Sequence, residues 1–145
     1  IYTMISSADK KDYPVLIDIW ESAVKATHDF LSDEDFEFYK THIPIYFHHV
    51  SLYVYRNQKG IIKGFLGISD NSIEMLFVEN ESRGEGIGKI LMDYAVNTLN
   101  ARKVDVNEQN TQALDFYYHL GFKEVGRDEY DGEGKGYPIL HLEKS

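Results

Sequence analysis

The chain has 145 residues and is 43% hydrophobic, which predicts a single domain over residues 1–145 with a sizeable core. Its formal net charge of −9 argues against nucleic acid or an anionic membrane as the main partner and is compatible with a cationic one. The lack of cysteine excludes disulfides, thiolate zinc sites and a cysteine nucleophile, and it allows a reducing compartment. No apolar run approaches the roughly 20 residues that span a bilayer, and no signal peptide is visible, so we expect a cytoplasmic location.

Alternation and helical spacing predict the elements of the first half of the chain. A strand over residues 2–6 precedes a helix that begins near Pro14 and breaks at residues 27–31. Ser32 is the predicted N-cap of a second helix, and we expect Pro44 to kink or end it.

The second half alternates strands with helices. Strands are predicted over residues 51–56, 61–69, 73–78, 102–106, 122–130 and 137–142, with helices over residues 89–99 and from the cap Asn110 to Gly121. The resulting order, β-α-α-β-β-β-α-β-α-β-β, indicates an α/β fold with a mixed sheet and helices on its faces.

A glycine-rich loop, Arg83-Gly84-Glu85-Gly86-Ile87-Gly88, joins the predicted strand 73–78 to the helix that follows it. Such a turn directs several backbone N–H groups and a positive helix end at one point, which predicts an anion site suited to a pyrophosphate. A Walker loop does not fit because Gly84 is one residue too close to Gly88, and a dinucleotide fingerprint would need glycine at Lys89.

Two motifs together resemble one enzyme family. The pattern Arg-x-x-Gly-x-Gly at Arg83, Gly86 and Gly88 is similar to the coenzyme A pyrophosphate loop of the GNAT superfamily of N-acetyltransferases. The pattern that runs from Ala113 through Tyr117 to Gly121-Phe122 resembles a second motif of that superfamily. The resemblance implies a GNAT fold: a mixed, mostly antiparallel sheet of about seven strands with about four helices, splayed between its parallel fourth and fifth strands.

Shorter segments resemble the YjaB-type group of small bacterial acetyltransferases within this superfamily. These segments are residues 26–32, residues 107–110 and Lys135-x-Tyr137-Pro138. The motifs do not reveal the acceptor of that group.

The resemblance implies acetyl-coenzyme A as cosubstrate, and it implies which residues bind it. The strand of residues 73–78 would bind the pantetheine arm through its backbone, and the amides of residues 83–88 would bind the pyrophosphate. In the helix that follows Asn110, the small side chain of Ala113 would leave room for the pantetheine arm. The implied coenzyme A residues are Leu76, Phe77, Val78, Arg83, Gly84, Gly86, Ile87, Gly88, Lys89, Asn107, Asn110, Ala113 and Tyr117.

The implied chemistry is direct transfer of acetyl to an amine in a ternary complex. Tyr117 is the expected donor to the departing sulfur. Candidate bases are Glu74, which stands either at a wet cleft or at the exposed start of its strand, and His28, which is either catalytic or a hydrogen-bonded loop residue. A ping-pong route through a thiol is excluded by the lack of cysteine.

We expect the acceptor, an amine-bearing small molecule or a protein amine, to bind near His28, Phe30, Tyr130 and Tyr137. No metal-ligand spacing is evident among the histidines, so no metal is expected. A non-catalytic coenzyme A-binding module and an enzyme that uses another acyl group are the alternatives. The sequence leaves open whether the protein is a monomer or a homodimer.

Overall fold

The structure is a computed structural model that describes residues 4–145. Its strands are β1 Ile5–Ser7, β2 Ser51–Arg56, β3 Ile62–Ser69, β4 Ser72–Val78, β5 Lys103–Asn107, β6 Phe122–Asp128 and β7 Ile139–Lys144. Its helices are α1 Tyr13–Thr27, α2 Asp33–Phe47, α3 Ile87–Asn97 and α4 Thr111–His119, with 3₁₀ turns at Lys10–Asp12 and Asn80–Ser82. The order agrees with the predicted one; residues 2 and 3 of the predicted first strand lie outside the described residues.

The chain forms two compact units, a first unit that ends at Ala101 and a second unit that spans Arg102–Ser145. The first unit contains the antiparallel strands β1-β2-β3-β4 in that order, with α1, α2 and α3. The second unit contains β5-β7-β6, also antiparallel, and α4. The prediction of a single domain stays a prediction.

The core of the first unit lies where α1 and α2 pack on the sheet. Trp20 of α1 stacks on Phe36 of α2 with 5.2 Å between ring centroids, and burial of such side chains is the main stabilising contribution. The buried cluster consists of Leu16, Ile19, Trp20, Val24, Phe36, Ile43, Phe47, Leu52, Val54, Ile62, Phe65 and Met75.

Helix α2 begins as predicted and continues through its proline. The Ser32 hydroxyl accepts a hydrogen bond from Asp35 N at 3.1 Å, which makes Ser32 the N-cap. Of the two effects expected of Pro44, a kink or an end of the helix, the second does not occur, because the helix continues to Phe47. A proline inside a helix costs about 3 kcal/mol, and burial of Ile43 and Phe47 on either side offsets that cost.

In the second unit, α4 packs against β6 and a small apolar core. The buried side chains of the second unit are Val104, Val106, Leu114, Tyr117, Phe122, Leu140 and Leu142. Gly121 follows α4 with φ of 96°, the left-handed geometry predicted for it. The last two strands are displaced from the predicted ranges, because Asp131 Oδ1 accepts hydrogen bonds from Glu133 N and Lys135 N and holds residues 129–138 as a loop.

One side-chain cluster joins all three strands of the second unit. His141 Nδ1 lies 2.7 Å from Asp105 Oδ1, and His141 Nε2 lies 2.8 Å from Asp128 Oδ2. Only the imidazolium form of His141 can donate a hydrogen bond from both ring nitrogens at once. The hydrogen bond to Asp105, and to a smaller extent the one to Asp128, therefore raises the pKa of His141. A Cβ at Gly126 would lie 3.3 Å from His141 Cδ2, so glycine gives the ring room against β6.

This cluster predicts a pH-dependent contribution to stability. Because the pKa of His141 is raised on folding, its contribution is complete below the unfolded-state pKa of about 6.5 and is lost as the pH rises through the folded-state pKa. His141→Gln should therefore lower Tm most at acidic pH, and the deficit should shrink towards alkaline pH in thermal unfolding.

The control is the same substitution in a protein that carries Asp105→Asn and Asp128→Asn. There His141→Gln should have an effect on Tm that does not vary with pH. An equal deficit at every pH in the otherwise wild-type protein would contradict the ion-pair assignment.

Candidate active site

The glycine loop is built around two left-handed residues. Gly84 has φ of 84° and Gly86 has φ of 81°, a conformation that L side chains rarely adopt. Gly86 is the N-cap of α3 and provides no side-chain cap, so the first N–H groups of that helix lack the usual side-chain acceptor. A Cβ at either glycine would meet no protein atom within 4 Å, so the space before this backbone is open to a ligand.

A half-buried polar anchor made by Lys63, Glu79 and Ser82 holds the start of the loop. Glu79 Oε2 accepts hydrogen bonds from Lys63 Nζ at 2.9 Å and from Ser82 Oγ at 3.0 Å. The bond from Lys63 lowers the pKa of Glu79, and Ser82 is only 5% exposed. Lys63 stands at a register shift between β2 and β3, where Tyr55 pairs with Gly64 and the next pair skips Lys63. No local sequence pattern predicts this anchor, because Lys63 and Glu79 are 16 residues apart in the chain.

Charged side chains around the loop are exposed. Arg83 donates to Asn80 Oδ1 at 3.2 Å, and Lys89 lies 3.3 Å from Asp93 Oδ2. Glu85, an acid in an anion loop, is exposed to solvent. The loop therefore carries two surface cations beside its backbone donors, and its one acidic side chain does not fill the open space.

Strand β4 precedes the loop and contains one of the two candidate bases. Its residues Leu76, Phe77 and Val78 are half-buried and pair with β3. Glu74 is exposed and is the extra residue of a register shift, because Gly67 pairs with Met75 and Ile68 pairs with Ile73. Such bulges redirect a side chain. No hydrogen bond or ion pair joins the Glu74 carboxylate to another residue within 4–145, so this carboxylate remains available.

The other candidate base, His28, lies at the end of α1. Its Nδ1 is 2.7 Å from Thr27 Oγ1, and its ring lies 5.1 Å from the Phe30 ring, so the structure brings these two predicted acceptor residues together. Burial lowers the pKa of His28 to about 4, and the Asp29 carboxylate offsets only part of that effect. The imidazole is therefore neutral at physiological pH.

In the second unit, the predicted residues lie around α4. Asn107 ends β5 and accepts a hydrogen bond at its main-chain oxygen from Asn110 N at 2.9 Å. Asn110 is the N-cap, as predicted, with Oδ1 3.2 Å from Ala113 N. Ala113 and Tyr117 are four residues apart and share a face of the helix.

The Tyr117 ring is buried between two aromatic neighbours. It makes edge contacts with Phe116 and Phe122 at centroid distances of 5.3 and 5.6 Å. Burial raises the pKa of the phenol well above its usual value of about 10. Tyr117 is only 6% exposed, and no hydrogen bond joins its hydroxyl to another residue within 4–145.

The two remaining predicted acceptor residues flank the loop of residues 129–138. Tyr130 is 60% exposed, and Tyr137 is half-buried and donates its N–H to Lys135 O at 2.8 Å. Over the described part of the chain, no group of three or more His, Asp or Glu side chains has the arrangement of a metal site. None of the helices described in residues 4–145 is long and apolar enough to cross a membrane.

Comparison with known proteins gives a consistent family assignment. The family model described as acetyltransferase (GNAT) domain matches residues 15–144. Peptidyl-lysine N-acetyltransferase YjaB of Salmonella typhimurium strain LT2 is 39% identical over 127 residues, 88% of this chain and 88% of the relative. YjaB of Escherichia coli K12 is 38% identical over 131 residues, 88% of this chain and 86% of the relative.

Solved structures agree. The solution structure of apo-form YjaB from Escherichia coli is similar with a TM-score of 0.83 and 36% identity, over 96% of this chain and 95% of that chain. PaiA N-acetyltransferase of Thermoplasma acidophilum, solved in complex with coenzyme A, shares the fold with a TM-score of 0.72 at 21% identity, over 97% of this chain and 98% of that chain.

These findings confirm the predicted fold class and the predicted activity, acetyl transfer to an amine. The chain belongs to the GNAT superfamily of N-acetyltransferases.

Proposed function

We propose that this enzyme transfers an acetyl group from acetyl-coenzyme A directly to the side-chain amine of a lysine in a protein. The proposal rests on the turn from β4 to α3, where two left-handed glycines border open space and α3 begins without a side-chain cap for its first N–H groups. A pyrophosphate suits such a turn. The names of the YjaB relatives, peptidyl-lysine N-acetyltransferases, support a lysine acceptor.

The residues of the loop fit coenzyme A. Gly84, Gly86 and Gly88 let a phosphate approach the backbone, Ile87 and Lys89 offer further N–H groups of the first helical turn, and Arg83 adds a surface cation. The coenzyme A complex of PaiA, a protein of the same fold, supports this role. The family motifs imply further contacts with coenzyme A. We propose that the backbone of residues 76–78 binds the pantetheine arm and that Asn107, Asn110 and Ala113 of the second unit also contact the cosubstrate.

Tyr117 is the proposed donor to the departing sulfur. Its buried ring fixes the phenol, and its hydroxyl makes no hydrogen bond to another residue in the described structure. Because the pKa of Tyr117 is raised, the phenol keeps its proton and donates a hydrogen bond more readily than it transfers the proton outright. Hydrogen bonding to the developing thiolate lowers the barrier without a charged tyrosinate.

Two groups share the proposed handling of the amine protons. A lysine ammonium has a pKa of about 10.4 and must lose one proton before it can attack. The exposed Glu74 carboxylate, at the register shift in β4, is the proposed group that passes this first proton to solvent, directly or through water. After the C–N bond forms, the nitrogen is far more acidic, and a neutral imidazole such as His28 suffices to take the second.

Three aromatic residues and the acidic surface are proposed to favour the lysine acceptor. Phe30, Tyr130 and Tyr137 are proposed to contact the acceptor, and the net charge of −9 favours a cationic lysine. We propose a single domain over residues 1–145, active as a monomer or homodimer in the cytoplasm, where acetyl-coenzyme A is available, without a metal and without nucleic acid or membrane as partner.

Substitution of a loop glycine should abolish donor binding. Gly88 lies within α3, so Gly88→Val needs no change of backbone conformation and places a branched side chain beside the proposed pyrophosphate position. Acetyl-coenzyme A should raise the wild-type Tm by mass action and leave the variant's Tm unchanged. Titration calorimetry should likewise detect no binding to the variant.

The matched control is Gly132→Val, because Gly132 lies in the exposed loop of residues 129–138 and a Cβ there meets no atom within 4 Å. This variant should bind acetyl-coenzyme A as the wild type does. A folded Gly88→Val protein with wild-type affinity would show that the loop is not the pyrophosphate site.

Tyr117→Phe retains the ring and removes the donor. We expect kcat to fall by about 10²-fold, within the usual range for general acid catalysis, with coenzyme A affinity and Tm nearly unchanged. Released thiol is the readout, and Tyr118→Phe is the control, because Tyr118 is 41% exposed and lies on another face. Wild-type turnover by Tyr117→Phe would remove Tyr117 from the mechanism.

Changes at the proposed acceptor residues should affect one substrate only. Tyr130→Ala and Tyr137→Ala should raise KM for a lysine peptide by about tenfold, equivalent to about 1.4 kcal/mol, and leave KM for acetyl-coenzyme A unchanged. Val125→Ala, at another exposed site of the second unit, is the control. Equal changes in both KM values would mean that the acceptor binds elsewhere.

A further inference from the structure

Thr27 Oγ1 contacts both the main chain of α1, at Ala23 O, and the ring of His28. We propose that Thr27 is a positioning residue that holds His28 in the tautomer with its proton on Nδ1, so that the Nε2 lone pair is presented to the acceptor amine. The catalytic half of this inference rests on the proposed function, whereas the tautomer itself does not.

A count of hydrogens gives the tautomer. The Thr27 hydroxyl has one hydrogen, and Oγ1 donates it to the Ala23 main-chain oxygen at 2.8 Å. A carbonyl oxygen can only accept, so that hydrogen is not available for His28. The 2.7 Å contact between Thr27 Oγ1 and His28 Nδ1 then needs a hydrogen from Nδ1. A neutral imidazole with its proton on Nδ1 has its lone pair on Nε2.

The reverse arrangement is less favourable. If Thr27 donated to an unprotonated Nδ1, its oxygen would face the Ala23 carbonyl oxygen at 2.8 Å with no hydrogen between them. A threonine in a helix commonly bonds the main-chain oxygen four residues earlier, and its branched Cβ restricts χ1. Helix α1 therefore fixes the direction of the Thr27 hydroxyl, and the hydroxyl fixes the tautomer of His28.

The rest of His28 is held by other contacts. Its backbone N–H donates to Val24 O at 2.8 Å, its main-chain oxygen accepts from Leu31 N at 3.1 Å, and its ring contacts Phe30. Within residues 4–145 no hydrogen bond reaches Nε2, and none of their buried side-chain nitrogens lacks a partner, so Nε2 is open to solvent. Every other polar group of this residue is occupied, which leaves Nε2 as the position for an external hydrogen-bond donor.

Because burial keeps His28 neutral at physiological pH, the tautomer decides whether Nε2 donates or accepts. With the proton on Nδ1, Nε2 accepts. It can then receive the proton that the attacking nitrogen releases once its bond to the acetyl carbon has formed, while the electrons of the broken C–S bond leave with the thiolate. The other tautomer would turn an N–H towards the amine and could not take that proton.

The test is a long-range ¹H–¹⁵N spectrum of the protein with ¹⁵N-labelled histidine, recorded near pH 7 without any substrate. Nε2 of His28 should show the shift of an unprotonated nitrogen and Nδ1 that of a protonated one. Thr27→Val, which removes the hydroxyl and keeps the shape, should move the proton towards Nε2, and Thr27→Ser should restore the wild-type pattern. A wild-type spectrum with the proton on Nε2, or no change in Thr27→Val, would overturn the tautomer assignment.

Kinetics test the catalytic half. Thr27→Val should lower kcat by about tenfold or more, because a wrong tautomer impairs proton transfer, with KM for acetyl-coenzyme A unchanged and Thr27→Ser close to wild type. A variant with the altered tautomer and unchanged kcat would overturn the positioning role and leave the tautomer standing. If the wild type acetylated no lysine peptide, the proposed function would fail, and the spectrum would still decide the tautomer.

Discussion

The backbone geometry of the turn between β4 and α3 is the constraint on which the rest of this enzyme depends. Gly84 and Gly86 adopt left-handed conformations that cost other residues roughly 1–2 kcal/mol each, and in return α3 begins with unpaired N–H groups at one point. The Glu79–Ser82 anchor fixes the start of this turn. Gly64 lets α3 approach the sheet closely, because a Cβ there would lie 3.1 Å from Ile87 Cγ2.

Burial, rather than ion pairing, shifts the pKa values of Tyr117 and His28, two of the groups proposed to handle protons. It raises the pKa of Tyr117 and lowers that of His28, so both stay neutral at physiological pH. A neutral donor suits a developing thiolate, and a neutral acceptor suits a nitrogen that becomes acidic only after attack. The ion pairs of the fold serve other purposes, such as the pair between Lys63 and Glu79 that holds the loop.

The sequence predicted what depends on local pattern. The order of elements, the caps Ser32 and Asn110, and the left-handed Gly121 all follow from nearby residues. Features made by distant partners were not predicted. Lys63 meets Glu79 16 residues away and His141 meets Asp105 36 residues away, and the bulges that direct such side chains leave no periodic signal. The sequence left open whether Pro44 kinks or ends α2, and buried packing on either side of this proline lets the helix continue to Phe47.

The central claim is direct acetyl transfer to a protein lysine, and initial-rate kinetics with acetyl-coenzyme A and an α-blocked lysine peptide test it most directly. The account predicts thiol release, acetylation at the lysine Nε in the mass spectrum of the peptide, and intersecting double-reciprocal lines, because both substrates must be bound before the acetyl group moves. Parallel lines with an acetylated enzyme, or coenzyme A binding without thiol release across peptides and small amines, would contradict it.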